Sequence, residues 1–559
     1  MKILLVYPYF IEERMHDEDI RAVPMGLYSV GAVLKEHHYD VEILDWHEIN
    51  RTPQKIKEGL AQKKPDVIGF SVLHGNRWGA IEIARAAKRL NPKTRIVFGG
   101  IGATFLWEHL LTHFPEVDAV VLGEGEGTFL NLVRHFEKKQ DQGIEEIRGI
   151  AYRNKGNPFK TGEPESIKDI DSLPIPAKHF TYQHVSSSRG CAWNCSFCGS
   201  PQFWGRKIRW RSPENFIEEV ERLYRKGVGF FYFSDDTFTM KPERVIEICK
   251  RIIERNLKIT WYAISRVDQV DDEMLYWMRR AGCIQISYGV ESGSQKIRKA
   301  LGKQVKTDQV RKAFALTTRY GILSRAYFIY GAPGETWGTI QETIDLMDEI
   351  KPLSAIFYIL DVFPGTRLYS DLMKNSDITD DIWLKKMEGI MYFETDPSMN
   401  DDLILAFGKK LRSAFYEKVN AYAESVELAD QKDLYPWHAD FCSRLGMTFS
   451  HGDYSKMQEV REKNETAEKL LRKALIYHPD HRAYLGLGMI KQRKSEFKES
   501  VTILEEGLSH WPESEDLNLC VGISLMNMGD FKGALDHFSK FPQSSAARRY
   551  VEECHRALR

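Results

Sequence analysis

Three cysteines stand close together in the chain, Cys191, Cys195 and Cys198, at spacings of four and three residues. Three thiolates in one short loop can bind three irons of a cubane iron–sulfur cluster, and the missing fourth thiolate leaves one iron open to a small molecule. Four cysteines would suit electron transfer, whereas three suit a cluster that binds and reduces a ligand. The motif therefore predicts a reactive [4Fe–4S] cluster held by these three residues.

Two other interpretations of the cysteine motif stay open. The three residues can be buried packing residues, or they can be part of a zinc site. A zinc site needs a further cysteine or histidine nearby, and the candidate in the same segment is His184.

Composition limits the class of protein. The chain has 559 residues, enough for three or four domains, and a formal net charge of −1, which does not favour a nucleic-acid partner. It has eight cysteines, and those outside the motif are scattered singly, unlike a disulfide framework. The amino-terminal apolar run is short and broken by Pro8, and no later run approaches transmembrane length. These features indicate a cytoplasmic protein.

Residues 1–150 alternate between β-branched runs and helical patterns. This alternation predicts an α/β domain, a doubly wound parallel sheet with ligands at the carboxyl ends of its strands. The expected strands are Ile3–Tyr7, Val41–Asp45, Val67–Val72, Arg95–Phe98 and Ala119–Leu122.

Small and glycine residues follow three of these strands. The domain resembles the cobalamin-binding Rossmann-like family, which has Ser-x-Leu at one strand end and Gly-Gly at the next. The resemblance implies cobalamin contacts from Ser71, Leu73, Gly99, Gly100, Gly123 and Glu124. Many members of that family supply a histidine to cobalt after the first strand, in the motif Asp-x-His-x-x-Gly. Here the corresponding loop, 14–19 with His16, lacks that motif, and His47 follows the wrong strand, so we assign no histidine to cobalt.

Residues 151–184 are rich in proline and charge, which predicts an irregular linker.

From 185 to 375 strands and helices alternate again in about six repeats, which predicts a partial (β/α)6 barrel with its reactive face at the strand carboxyl ends. The cysteine motif follows the first of these strands.

This second domain resembles the radical S-adenosylmethionine (SAM) superfamily, whose signature is Cys-x-x-x-Cys-x-x-Cys with an aromatic residue, here Phe197, before the last cysteine. The resemblance implies a SAM cofactor bound at the open iron. It also implies SAM contacts at successive strand ends, from Asp235, Asp236, Arg266, Glu291, Ser292 and Gly331. Aromatic residues near these ends hint at an apolar substrate: Trp193, Phe197, Phe238, Tyr288, Tyr330 and Phe363.

The last third of the chain is helical. The resemblance implies that residues 376–447 form a helical cap over the barrel mouth. His438 and Cys442 of this segment either reach into the site or pack within the cap, and packing is the favoured interpretation. Residues 448–559 show a period of 34, as in Gly488 and Gly522 or Leu504 and Phe538. This period resembles that of the tetratricopeptide repeat (TPR) and predicts an all-α solenoid, which either binds a protein or buttresses the catalytic domains.

The combination resembles cobalamin-binding radical SAM proteins. That resemblance implies an enzyme that functionalises an unactivated C–H bond of a small-molecule or lipid-like substrate, with electrons from a flavodoxin- or ferredoxin-type protein. Methyl transfer to carbon is the first hypothesis, and oxidative ring closure or another C–H functionalisation is the second. A third, from another class, is a TPR scaffold with a vestigial cluster domain. No catalytic side chain is assigned.

Overall fold

A computed structural model describes residues 1–11, 24–47, 49, 53–138 and 142–559. The loop with His16 lies outside the described residues. The first domain is built on a seven-stranded sheet in the order β2-β1-β3-β4-β5-β6-β7. Its elements are β1 (Lys2–Tyr7), α1 (Met25–Glu36), β2 (Asp40–Asp45), α2 (Pro53–Lys63), β3 (Val67–Ser71), α3 (Arg77–Leu90), β4 (Arg95–Gly99), α4 (Ile101–Phe105), α5 (Trp107–His113), β5 (Ala119–Val121), α6 (Glu126–Lys138), β6 (Ile150–Asn154) and β7 (Asn157–Lys160).

Strands β1 to β5 are parallel, as the sequence predicts. Their residues are apolar on both faces because helices cover both sides of the sheet, and Ile3 to Tyr7 are all buried. The parallel arrangement brings the ends of β3, β4 and β5 to one edge.

The segment expected to be a linker is more ordered than predicted. Strands β6 and β7 extend the sheet with antiparallel pairing, so the first sheet continues to Lys160. Arg153 fixes this addition by donating to the carbonyls of Leu111, Phe114 and Val117. The expectation of an irregular linker from residue 151 is therefore wrong for this part, because a polar hairpin joins the sheet edge.

The second domain contains a six-stranded, fully parallel sheet in the order β15-β14-β13-β12-β11-β8, which confirms the predicted α/β alternation. Its elements are β8 (His184–Val185), β9 (Ser188–Arg189), α7 (Ser200–Trp204), β10 (Arg209–Trp210), α8 (Pro213–Arg225), β11 (Phe230–Phe233), α9 (Pro242–Glu254), β12 (Thr260–Ser265), α10 (Asp272–Arg280), β13 (Cys283–Glu291), α11 (Gln295–Ala300), α12 (Thr307–Arg319), β14 (Leu323–Tyr330), α13 (Trp337–Ile350) and β15 (Ser354–Ile359).

A short segment after the barrel returns to the first domain. It contains β16 (Asp361–Val362), α14 (Arg367–Asn375), a 3-10 turn (Asp380–Leu384) and β17 (Ile390–Met391). Trp383, fully buried, joins the core of the first domain. Arg77 and Trp78 of α3 donate to the carbonyls of Met387 and Lys385. This segment therefore fastens the two domains together.

The remaining helices are α15 (Asp401–Tyr416), α16 (Val419–Glu424), α17 (Tyr435–Ser450), α18 (Asp453–Lys456), α19 (Lys463–Tyr477), α20 (His481–Arg493), α21 (Phe497–His510), α22 (Glu515–Asn527), α23 (Phe531–Phe538) and α24 (Ser545–Ala557). Helix α17 lies against the amino ends of the barrel strands. Arg279 donates both to the carbonyl of Cys283, where β13 begins, and to that of Trp437 in α17. The expected cap over the barrel mouth is wrong for this helix, since the cysteines lie at the opposite end of the barrel. His438 and Cys442, fully buried in α17, belong to that distant packing.

The carboxyl-terminal helices repeat one contact at the predicted interval. A Cβ on Gly488 would lie 2.5 Å from Leu504, and a Cβ on Gly522 would lie 2.5 Å from Phe538. The two glycines are 34 residues apart, as are their partners. Successive helices therefore approach closely in the same way in both units.

Among the residues described, no helix has both the length and the apolar character needed to cross a membrane.

Candidate active site

The cysteine loop connects β9 to α7 and is held from several sides by backbone hydrogen bonds. The Ser196 amide donates to the carbonyl of Leu301 at 2.9 Å, and its carbonyl accepts from the Leu368 amide at 2.9 Å. Arg206 donates twice to the carbonyl of Ala192. The loop therefore has a fixed position at the carboxyl end of the barrel.

The three thiols lack the close spacing of a single-ion site. Ligands of one tetrahedral zinc lie roughly 3.8 Å apart when its Zn–S bonds are about 2.3 Å. Within the described residues, the cysteines do not form a set of three ligand atoms within 4.8 Å of one another. His184 instead stacks on Tyr232 and contacts Ser234. The zinc alternative is therefore disfavoured.

Burial controls the protonation of these cysteines when no metal is bound. It raises the pKa of Cys198 to about 12, and the pKa values of Cys191 and Cys195 are also raised by burial. The loop therefore favours neutral thiols, and the positive charge of bound iron would stabilise the thiolates.

The two aspartates after β11 occupy different positions. Asp235 is buried and accepts from the amide and hydroxyl of Ser187, at 3.1 and 2.8 Å, and from the hydroxyl of Ser188. Its carboxylate thus supports the strand that leads into the cysteine loop. Asp236 is exposed, and it accepts a hydrogen bond from the hydroxyl of Ser200 at 2.6 Å. Ser200 follows Cys198 by two residues. Of the two, Asp236 is the one open to a ligand.

Arg266 follows β12 and lies against the cysteine loop. Its guanidinium carbon is 3.9 Å from the centre of the Trp193 ring, and its Nε and Nη2 donate to Asp268 at 3.0 and 2.9 Å. Cation–π stacking and the ion pair fix the guanidinium beside the loop.

Glu291 and Lys303 form a buried ion pair near the cluster loop. Lys303 Nζ lies 2.8 Å from Glu291 Oε1, and both side chains are about 7% exposed or less. Glu291 ends β13 with a φ of +67°, beside an irregularity in the strand pairing. A Cβ on Gly289 would lie 2.4 Å from Glu291 Oε1, so only glycine leaves room for the pair. Ser292, buried next to Glu291, contacts the hydroxyl of Thr343.

Gly331 opens the loop after β14 with a φ of +74°. The carboxylate of Glu335 accepts from the amides of Gly331 and Ala332 and so shapes this turn. Burial raises the pKa of Glu335 to about 7. Its other oxygen has no hydrogen-bond partner among the described residues.

A cavity of about 420 Å³ lies between the carboxyl edge of the first sheet and the barrel. This size is typical of ligand pockets. All six residues expected to contact cobalamin line it: Ser71, Leu73, Gly99, Gly100, Gly123 and Glu124. The barrel contributes Ser186, Ser188 and Asp236 to the opposite side. The structure therefore brings these six residues together and adds one of the residues expected to contact SAM. His47, by contrast, stacks on Tyr7 and is not among the lining residues.

Glycines keep this cavity open and allow close backbone approach. The nearest atom to a Cβ placed on Gly99 is 3.8 Å away, so any larger side chain there would project into free space along the cavity wall. Gly100 has a φ of +92°, and its Cβ would lie 2.9 Å from the carbonyl oxygen of Val72. A flat, bulky ligand can thus approach the sheet edge closely, which fits cobalamin.

Buried ion pairs join the cavity wall to the cysteine loop. Arg189, two residues before Cys191, donates to Glu124 at 2.5 Å and to Glu126 at 2.6 Å. Arg209 also binds Glu124. The Glu124 carboxylate is thus engaged by two arginines, although the residue lines the cavity. Arg189 and its partners therefore set the distance between the two expected cofactor sites.

Several residues of this site are not marked by any distinctive pattern in the sequence. Leu173 to Pro176, within the expected linker, line the cavity. Lys303 and Arg189 are ordinary charged residues in the sequence, although the position of Arg189 immediately before Gly190-Cys191 is a clue. Three of the aromatic residues taken as hints of an apolar substrate, Phe238, Tyr288 and Tyr330, are core residues with at most 2% exposure.

Comparisons with known proteins agree with this site. Residues 21–133 match the model of the B12 binding domain, and residues 185–347 match that of the radical SAM superfamily. An uncharacterized methyltransferase of Pyrococcus horikoshii is 32% identical over 411 residues, which cover 71% of this chain and 88% of that protein. The chain belongs to the cobalamin-binding radical SAM family. It is accordingly an enzyme, and its cofactors are a [4Fe–4S] cluster, SAM and cobalamin.

Other relatives of this cobalamin-binding radical SAM enzyme differ in named activity. The anaerobic magnesium-protoporphyrin IX monomethyl ester cyclase of Cereibacter sphaeroides is 29% identical over 371 residues, covering 63% of this chain and 60% of that protein. The solved structure of the radical SAM methyltransferase TsrM from Kitasatospora setae, with cobalamin and a [4Fe–4S] cluster bound, has a TM-score of 0.59 at 16% identity. That match covers 85% of this chain and 99% of TsrM. It shows that the two proteins share a fold.

Proposed function

We propose that this enzyme is a methyltransferase that acts on an sp³ carbon of a small-molecule or lipid-like substrate. The observation that carries the proposal is the single cavity lined both by the cobalamin-binding edge and by the barrel wall beside the cysteine loop. A methyl carrier in this cavity would lie close to the place where a substrate radical forms. Direct transfer of the methyl group from the carrier to the substrate radical needs such proximity.

When bound, the cluster and SAM supply a 5′-deoxyadenosyl radical, and cobalamin carries a methyl group. Cys191, Cys195 and Cys198 would hold the cluster. Arg266 lies beside the same loop and would face the carboxylate of SAM, and Glu291, fixed by Lys303, would accept from its ribose hydroxyls.

The cavity residues would orient cobalamin and exclude water. The six residues at the sheet edge would hold the corrinoid and its side groups through backbone contacts. Phe203 and Trp204 of α7, which follow the cysteine loop, form an apolar part of the wall. An apolar wall limits the reaction of a carbon radical with solvent and favours an apolar substrate.

Two relatives support competing outcomes for the same cofactors. The relative from P. horikoshii and the structural neighbour carry methyltransferase names, whereas the relative from C. sphaeroides is a cyclase. Oxidative ring closure is therefore the second candidate. Both outcomes begin with abstraction of a substrate hydrogen.

Methyl labelling distinguishes the candidates. Anaerobic holoenzyme is incubated with a metabolite extract of the source cells, a flavodoxin-type reductant and SAM labelled in its methyl group, with Cys195→Ala as the control. Methyl transfer predicts a product that carries the label on carbon and is absent with Cys195→Ala. A product that has lost hydrogen without gaining label would overturn methylation in favour of ring closure.

We also propose an external reductant and a protein partner. The three cysteines provide one cluster and no chain of further clusters, so a flavodoxin- or ferredoxin-type protein would deliver the electron.

The carboxyl-terminal helices would bind a protein through their concave face. All eight cysteines are free thiols, which supports a cytoplasmic location.

A further inference from the structure

Two histidines on α5 and one aspartate from a distant part of the chain form a cluster apart from the cysteines. His109 and His113 are four residues apart, so they share one face of the helix, and their ring centres are 4.9 Å apart. Asp381 reaches them from the 3-10 turn after the barrel. One ligand atom from each residue lies within 4.8 Å of the other two, and no other set of three in the described part of the chain meets this condition.

His109 is the residue that ordinary packing does not explain. It is only 4% exposed, and neither of its ring nitrogens has a hydrogen-bond partner among the described residues. A buried imidazole whose two nitrogens have no partner costs free energy. The contact between His113 and Asp381 at 3.4 Å accounts for those two residues and leaves His109 unsatisfied. A bound cation would satisfy all three.

The donor set identifies the class of cation. Two imidazoles and one carboxylate suit zinc, whereas magnesium and calcium prefer oxygen ligands alone. Zinc–ligand bonds of about 2.0–2.1 Å place tetrahedral ligand atoms about 3.3 Å apart. The separation of 3.4 Å between His113 Nε2 and Asp381 Oδ1 matches one such edge. Asp381 is 70% exposed, so the fourth position faces solvent and would take a water.

We propose that His109, His113 and Asp381 bind a zinc ion that fastens the first domain to the segment following the barrel. The same segment already places Trp383 in the core of the first domain, and Trp78 holds the Lys385 carbonyl nearby. The ion would add a cross-link to this joint, and it would do so independently of the reaction at the cysteines. The site is structural because its three residues line no part of the cofactor cavity.

Zinc content of the cluster-loaded, full-length protein tests the proposal. After incubation with zinc and dialysis, wild-type protein should retain one zinc per chain. His113→Gln and Asp381→Asn should lower the zinc affinity by at least about tenfold, since each removes a ligand. The matched control Asp377→Asn, an exposed aspartate of the same segment, should bind as wild type does. The zinc absorption edge should show nitrogen and oxygen neighbours.

Three results would overturn the proposal. The first is a wild-type protein that retains no zinc while its cluster is intact. The second is zinc retention by both variants equal to that of wild type. The third is an absorption spectrum dominated by sulfur, which would place the zinc at the cysteines. Because Asp381 is an exposed residue, Asp381→Asn tests the site even if a histidine variant folds poorly. Zinc should also raise the thermal unfolding temperature of wild type and leave that of Asp381→Asn unchanged.

Discussion

The guanidinium of Arg189 donates to the carboxylate of Glu126 across the joint between the two α/β domains, at 2.6 Å. Arg189 immediately precedes Gly190 and Cys191, and Glu126 begins α6 and lines the cavity between the two domains. Burial alone would raise the pKa of Glu126, but Arg189 and Ser29 hold it below its usual value. The position of the cluster loop relative to the cavity thus depends on a largely buried charge pair.

Removal of this pair should weaken both stability and cobalamin binding. Arg189→Met leaves the buried carboxylate of Glu126 without a counter-ion, while Glu124 keeps Arg209. The change should cost about 3–5 kcal/mol of unfolding free energy. Chemical denaturation and corrinoid titration measure the two effects. Arg206→Met is the matched control, since Arg206 contacts the same loop but binds no residue of the first domain in the described structure. Equal losses in the two variants would contradict the role of the pair.

The Lys303–Glu291 pair should behave as a coupled unit. Lys303→Met leaves a buried carboxylate and should destabilise the protein by about 3 kcal/mol, whereas the double variant with Glu291→Gln should recover much of that loss. Both single variants should bind SAM more weakly, as measured by equilibrium dialysis of cluster-loaded protein. Lys299→Met, an exposed change on the neighbouring helix, is the control. Additive effects of the two single changes would show that the residues act separately.

Glu335 should make stability depend on pH. Burial raises its folded-state pKa from 4.5 to about 7, so the folded protein holds a proton that the unfolded chain releases. Its contribution to stability is therefore present below pH 4.5 and is lost as the pH rises to about 7, with an upper bound of about 3 kcal/mol.

The isosteric variant tests this assignment. Glu335→Gln keeps an oxygen for the amides of Gly331 and Ala332 but cannot ionise, so the loss of stability between these pH values should shrink. Glu342→Gln, an exposed change on α13, should leave the pH profile as in wild type. If Glu335→Gln retains the full pH dependence, another group is responsible.

The sequence predicts the framework well because strands of parallel sheets carry a strong local signal. Runs such as Ile3–Tyr7 are apolar on both faces, and short glycine turns mark where they end. The same regularity predicts that residues far apart in sequence, Ser71 and Gly99 among them, meet at one edge. Three cysteines at fixed spacings identify the cluster loop without any knowledge of the fold.

What the sequence did not reveal depends on contacts between distant segments. Nothing local distinguishes Lys303 from a solvated lysine until its carboxylate partner is placed. The position of Arg189 before the cysteine motif is a clue to its importance but does not identify its partners. Helix α17 has the pattern of any amphipathic helix, so its position at the amino ends of the barrel strands followed only from tertiary packing. The hairpin of β6 and β7 was hidden because its charges and proline suit an exposed loop equally well.

Cobalamin in the cavity and the cluster in the cysteine loop should be lost independently of each other. Iron and corrinoid content of anaerobically reconstituted wild type, Gly99→Leu and Cys195→Ala tests it directly. Wild type should contain about four irons and one corrinoid. Gly99→Leu should lose the corrinoid and keep the iron, because its side chain occupies the cavity, and Cys195→Ala should lose the iron and keep the corrinoid. Corrinoid binding that is unaffected by Gly99→Leu, or full iron content in Cys195→Ala, would contradict the account.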